Sequence, residues 1–347
     1  MEYFMKKNYV TAIIPAHNEA LVIKDCITSL ITNGCDEIIV ANDNSSDETY
    51  KICLESNVTV FNTVNNKGRK AGAINQALKN YLNPIVDSYN HYILIVDADT
   101  VISEQWLTKS RNLIDSNEFD AVGSIFHADN NVGYLRYMQY LEWERYASQI
   151  SGLQKVFVLT GTASLIRLSK LHDVHKKNGF FYDENCITED FAMTIDLKEV
   201  GTRMISPASV NCKTETMPSV KLLFLQRRRW YLGAMQQVFS RKVTKVTLFY
   251  LFQQLMLSIS VITFSLVLLA DGYLLAEHQM KMNLFWLFIL FLFIFERVYT
   301  VWNLGWKARF VAFFLLPELL YAYILQISYV AAMLQFLTRS KGTWNHI

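Results

Sequence analysis

The sequence predicts an α/β domain on a mostly parallel sheet, followed by an apolar helical region. Two observations carry this. Up to about residue 245, short runs of β-formers alternate with amphipathic stretches and are joined by short connections, the pattern of βαβ units in one compact domain. Beyond Lys245 the composition changes to long apolar segments. The predicted division is residues 1–240 and residues 241–347.

The elements follow in order. Val10 to Pro15 reads as a strand and Glu19 to Leu30 as a helix. Glu37 to Ala41 is a strand, and a helix runs from Ser46 into Glu55. Val58 to Phe61 is a strand and Arg69 to Leu82 a helix. His91 to Val96 and Ala121 to Phe126 are further strands. Val246 to Ala270 is 25 residues without a charge, long enough to cross a bilayer. Leu284 to Phe295 is apolar, is interrupted by Glu296 and Arg297, and resumes at Val298. Leu319 to Leu337 is 19 residues without a charge. About three spans are therefore expected. Arg241, Lys242 and Lys245 flank the first, and Lys307 and Arg309 lie between the second and third. Both clusters should be cytoplasmic by the distribution of positive charge. Arg339 and Lys341 would then fall outside, a conflict relieved if Lys307 to Glu318 is an interfacial helix. Helices around Val132 to Gln149 and Val220 to Gln237, rich in Trp, Tyr, Arg and Leu, are expected at the membrane interface beneath the first domain.

Bulk properties narrow the function. Hydrophobic residues make up 52% and charged residues 18%, apolar for a soluble protein. The net charge of +2 gives no reason to expect a nucleic-acid partner. Cys26, Cys35, Cys53, Cys186 and Cys212 form no CxxC pair and no zinc spacing, so free thiols in a reducing compartment are expected. Met1 to Tyr9 lacks the apolar core of a signal peptide, so the first domain is expected to stay in the cytoplasm.

The chemistry centres on Tyr92-Ile93-Leu94-Ile95-Val96-Asp97-Ala98-Asp99-Thr100. A buried strand ends there in two carboxylates one residue apart, and alternation lets both point the same way. Ligands sit at the carboxyl ends of strands in parallel sheets. Two acidic groups there suit a hard divalent cation, and the cation suits a diphosphate. A strand followed by an Asx turn with both aspartates solvated would read the same way.

Three further clusters stand in comparable places. Asn18 follows the first strand as a candidate N-cap with Glu19 in the first turn; Glu19 is equally placed as a ligand. Asp43 lies in the polar run Asn42 to Asp47, at the same edge as Asp99, where a turn and a nucleoside grip are both consistent. Lys67, Arg69 and Lys70 open a predicted helix, against its dipole, which calls for an anion there unless they form a solvated basic face.

These residues resemble the membrane-integrated, inverting family 2 glycosyltransferases, the group that includes cellulose, chitin and hyaluronan synthases. The resemblance rests on Asp43, Asp97-Ala98-Asp99, Thr188-Glu189-Asp190 and Gln226-Arg227-Arg228-Arg229-Trp230, the last fitting Q-x-x-R-W. Gly161 to Arg167 is similar to the family's acceptor-side strand. The motifs occur in the family's order from Val10 to Trp230. The resemblance implies a GT-A type nucleotide-diphospho-sugar transferase fold and a metal-dependent hexosyltransferase. It implies that Asp43 holds the uracil or ribose of a UDP-sugar, with Glu19 and Lys70 nearby. Asp97 would contact nucleotide and sugar, and Asp99 would bind Mg²⁺ or Mn²⁺ across the diphosphate. Asp190 would be the general base, behind Thr188 as helix N-cap. Gln226, Arg229 and Trp230 would frame the acceptor and the leaving diphosphate. Arg227 to Arg229 also fit a basic patch at a membrane surface.

The implied function is transfer of sugar from a UDP-sugar to a growing β-linked glycan at a multi-pass cell-membrane protein. Single transfer to a lipid carrier or glycolipid is the alternative, and a non-enzymatic membrane scaffold is a third reading that the intact acidic motifs oppose. The family's synthases usually have spans before this domain, and none is read before Val10 here. Three spans are few to line a channel. Membrane lipids, further copies of the chain, or a membrane partner that completes a channel are therefore the expected partners beside donor and acceptor.

Overall fold

The computed structural model describes residues 8–82, 89–153, 155–278 and 283–338, so the flanking Arg339 and Lys341 and most of Met1 to Tyr9 lie outside the described residues. The chain divides into two compact units. One comprises Met1–Asn131 and Tyr146–Thr216, the other Val132–Arg145 and Met217–Ile347.

The first unit opens with β1 (Tyr9–Ala16), α1 (Ile23–Asn33), β2 (Glu37–Asn42), α2 (Thr49–Glu55), β3 (Thr59–Asn62), α3 (Arg69–Asn80) and β4 (His91–Val96). It continues through β5 (Val101–Ile102), α4 (Trp106–Asp115), β6 (Ala121–Gly123) and β7 (Ile125–Ala128). Helix α5 (Tyr134–Leu153) gives its first part to the second unit and the rest to the first. Then come β8 (Ala163–Arg167), α6 (Leu168–Asn178), α7 (Glu189–Glu199), β9 (Met204–Ile205) and β10 (Asn211–Thr214).

A seven-stranded sheet runs β3-β2-β1-β4-β8-β6-β9, and a three-stranded sheet runs β5-β10-β7. Strands β1 to β4 are mutually parallel, and β8 pairs antiparallel with β4 and β6. Every residue of β4 is buried, as a strand covered on both faces requires. One face packs Val10, Ile14, Tyr92, Leu94 and Trp106 into a core; the other packs Ile13, Ile39, Ile93, Ile95 and Ile74. The strand order reverses at β1 and β4, so their carboxyl ends open onto a crevice.

Two local expectations are corrected. Ala121 to Phe126 is not one strand. At Ser124 the chain changes partner: Ser124 N–H donates to Ala163 of β8, while Ile125 N–H donates to Val210 at the start of the second sheet. Asn18 does not cap α1, which begins at Ile23 with no side-chain cap. Its backbone is left-handed (φ 58°), and its side chain instead accepts from Ser46 N–H at 2.8 Å, pinning the β1 loop to the β2 loop. The five cysteines are free, with Cys26, Cys53 and Cys212 buried.

The second unit holds α8 (Val220–Ser240), α9 (Lys245–Ala276), α10 (Leu284–Thr300), α11 (Trp306–Phe314) and α12 (Leu316–Leu337). Ser219 caps α8, and Thr244 with Thr247 forms a capping box on α9. Tyr137, Leu141, Leu223, Val301, Ala308 and Tyr321 form its core. Helix α12 packs along α8, and Arg227 pairs with Glu142 at 2.7 Å, with Tyr321 hydrogen-bonded to the same carboxylate. Among the described residues, α9 and α12 are long and apolar enough to cross a membrane. The expected middle span is α10, whose 17 residues stand at the lower end of the range that crosses a bilayer, about 17 to 25 residues.

Candidate active site

The carboxyl ends of β1, β2 and β4 and the entry to β8 bring most of the predicted residues of the first unit into one acidic crevice. Ala98 and Thr100 are buried, so Asp97 and Asp99 share the opposite, partly open face of the fraying strand. A backbone bond from Thr100 N–H to Asp97 C=O closes the turn, and Thr162 C=O accepts from Asp97 N–H. Asp99 accepts from the hydroxyl of Thr100 at 3.2 Å and from Thr214. Burial holds its carboxyl above the ordinary range despite those bonds.

Asp43, at the end of β2, accepts from Thr63 Oγ1 at 2.5 Å and Asn66 Nδ2 at 2.9 Å. Asn66 also donates to Arg69 C=O and accepts from Gly68 N–H, so one amide ties Asp43 to the start of α3. Its Oδ1 would clash with a Cβ on Gly72, so that position has no room for a side chain. Glu19 follows β1, with its N–H donating to Thr49 Oγ1 at 2.8 Å. Burial, then Asp99, Asp97 and Glu215, push its carboxyl up to about 8.

Lys70 answers the question of which anion stands at the start of α3. The ammonium lies 2.5 Å from Asp97 Oδ1 and 2.7 Å from Glu189 Oε1, so the protein's own carboxylates meet it. Side-chain exposures are 19% for Lys70, 29% for Asp97 and 11% for Glu189, so these are partly desolvated pairs. Burial opposes the charged ammonium, yet Asp97, Glu189 and Asp190 hold it well above its ordinary value. Asp97 is pushed up to about 6 by burial, against the pull of Lys70. Asp190, in the first turn of α7, is pushed up to about 6 by burial and then by Glu189. Thr188 stands at the N-cap position, but its hydroxyl makes no cap bond; Asp190 Oδ1 instead accepts from Phe191 N–H at 2.7 Å. Gly161 N–H approaches Asp190 Oδ2 at 3.4 Å.

Gln226, Arg229 and Trp230 lie on α8, in the second unit. Gln226 is buried with its Oε1 unpaired, and the Arg227 guanidinium sits 4.4 Å over the Trp230 ring. Burial of Arg227 against Glu142 makes it a structural member of that unit rather than part of a solvated basic patch.

Glu189, Gly161, Glu215 and Thr214 were not singled out as site residues from the sequence. Glu189 was within reach as the middle of Thr188-Glu189-Asp190. Glu215 belongs to no motif, and only the second sheet brings it near Glu19.

The crowding has a measurable consequence. Glu19 binds a proton in the folded state well above its unfolded value, so its contribution to stability is complete below about 4.5 and lost as pH rises through about 8. Asp97 and Asp190 act likewise between about 3.8 and about 6. Chelator-treated protein is expected to lose thermal stability as pH rises from about 5 to about 8. Glu19→Gln should flatten the upper part of that fall; an unchanged slope would contradict the assignment.

Residues 11–174 match the family described as glycosyl transferase family 2. The chain is 28% identical over 251 residues to a poly-β-1,6-N-acetyl-D-glucosamine synthase of Staphylococcus aureus (strain COL), covering 68% of this chain and 58% of that one. It is 26% identical over 238 residues to the corresponding synthase of Staphylococcus epidermidis, covering 65% and 54%. The chain thus spans little more than half the length of these relatives. Among solved structures, a mannosyltransferase from Pyrobaculum calidifontis in complex with GDP-Man and Mn²⁺ superposes with a TM-score of 0.62 at 16% identity, covering 97% of this chain and 89% of that one. The fold is the expected GT-A type, with a mixed, mostly parallel sheet followed by apolar helices.

Proposed function

From a chain that carries a glycosyl transferase family 2 domain, we propose an inverting glycosyltransferase that moves a sugar from a UDP-sugar to a growing β-linked polysaccharide at a membrane. The observation that carries this reading is the acidic crevice at the carboxyl ends of β1, β2 and β4, with Asp190 across from Asp97. The similarity to polysaccharide synthases favours a polymer over a single transfer to a lipid carrier.

Each residue then has a role. Asp43, fixed by Thr63 and Asn66, receives the nucleoside, with Glu19 and Lys70 nearby. Asp97 orients the nucleotide and the sugar. Asp190 takes the proton from the acceptor hydroxyl as that oxygen bonds to the anomeric carbon and the bond to UDP breaks. Gln226, Arg229 and Trp230 belong to acceptor and leaving-group binding. Asp99 is the residue for Mg²⁺ or Mn²⁺. Among the described residues, no three His, Cys, Asp or Glu side chains form a cage for an ion. A cation shared with a diphosphate needs only one or two protein carboxylates, so the residues fit. The crowding of Glu19 by Asp97, Asp99 and Glu215, which pushes its carboxyl up to about 8 and which a cation would relieve, fits it further. When bound, the ion would neutralise charge on the leaving diphosphate.

The chain is assigned to the cell membrane through α9 and α12, with the basic flank at Arg241, Lys242 and Lys245 on the cytoplasmic side. We expect the full chain to sediment with membranes and to require detergent; a monodisperse species in a detergent-free soluble fraction would contradict the assignment. The polymer reading is tested by sizing labelled product from purified protein: a ladder supports it, whereas a single added sugar on extracted lipid favours the lipid-carrier alternative.

A further inference from the structure

Three groups around Asp190 have no settled part in the transfer: Glu189, the ammonium of Lys70 where it meets Glu189, and Gly161. Lys70 comes from the first turn of α3, Asp97 from the end of β4 and Glu189 from the first turn of α7. One ammonium joins all three, at 2.5 Å to Asp97 and 2.7 Å to Glu189. The loop entering β8 threads between them. A Cβ on Gly161 would stand 2.8 Å from Lys70 Nζ, 3.5 Å from Asp97 Oδ2 and 3.7 Å from Asp190 Cβ. A bare backbone there lets the ammonium sit between donor side and base side, while Gly161 N–H still reaches Asp190.

A pair that merely fastened α3 to α7 would need neither Asp97 nor the base as neighbours. We infer that Lys70 and Glu189 are a positioning pair for the proposed transfer: the shared ammonium holds the first turn of α7 against the end of β4, and so fixes where Asp190 stands relative to Asp97. The inference rests on the reading of Asp190 as base. Neither residue of the pair takes the acceptor proton; both act through Asp190.

The pair also has a signed electrostatic effect. Lys70 favours the ionised form of Asp190 and Glu189 disfavours it. Asp97 faces Asp190 as well and also disfavours its ionisation. Tyr146 of α5, with Tyr182 and Cys186 of the segment before α7, faces it too. Burial raises all three, so they stay neutral in the working range.

The test uses the full chain in detergent, with Glu189→Gln, Glu189→Asp and Lys70→Met measured for UDP binding, kcat against pH, and carboxyl titration by difference infrared spectroscopy with Asp190→Asn as the blank. Glu189→Gln should keep UDP affinity within about threefold, lose about tenfold or more in kcat, and move the acid limb to lower pH. Lys70→Met should move that limb to higher pH. Glu189→Asp keeps the charge but shortens the reach, so it should lose rate with the limb unmoved. The infrared titration of Asp190 should shift in the same opposed directions without any turnover. Opposed infrared shifts in a parent protein that turns over no UDP-sugar would keep the pair and remove the transferase reading. Turnover by the parent, with neither limb nor infrared titration displaced in Glu189→Gln or Lys70→Met, would overturn the pair.

Discussion

Asp99→Asn is expected to abolish metal-dependent turnover, by roughly 10² or more, in a protein that remains folded and membrane-bound. Asp99 stands at the carboxyl end of β4 on the open face, and its carboxylate accepts from the hydroxyls of Thr100 and Thr214. Those hydroxyl bonds survive in Asn, so the fold should too. What is lost is one charged oxygen, the donor a hard cation needs. Removing a carboxylate from the neighbourhood of Glu19 should also relieve repulsion there, so stability should hold or rise at neutral pH. Turnover against Mn²⁺ concentration is the measurement. Parental activity at limiting Mn²⁺ would remove Asp99 from the metal site.

The second large effect falls on the base. Asp190→Asn should bind UDP-sugar as the parent does and lose transfer by about 10² to 10⁴, the usual cost of a missing general base. Asn keeps shape and polarity, and its oxygen can still accept from Phe191 N–H, but it takes no proton. Burial and Glu189 place Asp190 at about 6, ionised at neutral pH yet basic enough to accept a proton in the transition state. The rival account makes Asp190 only a helix-start carboxylate, worth about 0.3–1 kcal/mol against the dipole. That account predicts a small loss of stability and near-parental transfer. UDP binding and transfer on the same sample separate the two, and intact binding with transfer within a few-fold of the parent would send the search to Glu189.

The sequence was most informative where chemistry and local pattern coincide. The run His91 to Val96 is the observed β4 to the residue, because a fully buried strand ending in two aspartates has little alternative. The alternation of buried Ala98 and Thr100 with the open Asp97 and Asp99 follows from strand geometry alone. Other features depend on partners distant in the chain. Lys70 meets Glu189 only because α7 returns to the edge where α3 begins. The break at Ser124 is not legible as a strand end, since one small polar residue is compatible with a continuous strand and only the change of partner from β8 to the second sheet divides Ala121 to Phe126. Asn18 has the residue type of a cap, whereas its amide is used across loops.

Turnover of a UDP-sugar by the purified, detergent-solubilised full chain tests the central claim most directly. Each of a panel of UDP-sugars is incubated with Mn²⁺ or Mg²⁺, and UDP release and labelled product are followed together. The acidic crevice predicts that at least one donor gives metal-dependent UDP release matched by a β-linked product, and that chelation stops both. Folded protein that releases no UDP from any donor, with either ion and with acceptor glycan or lipid supplied, would contradict it.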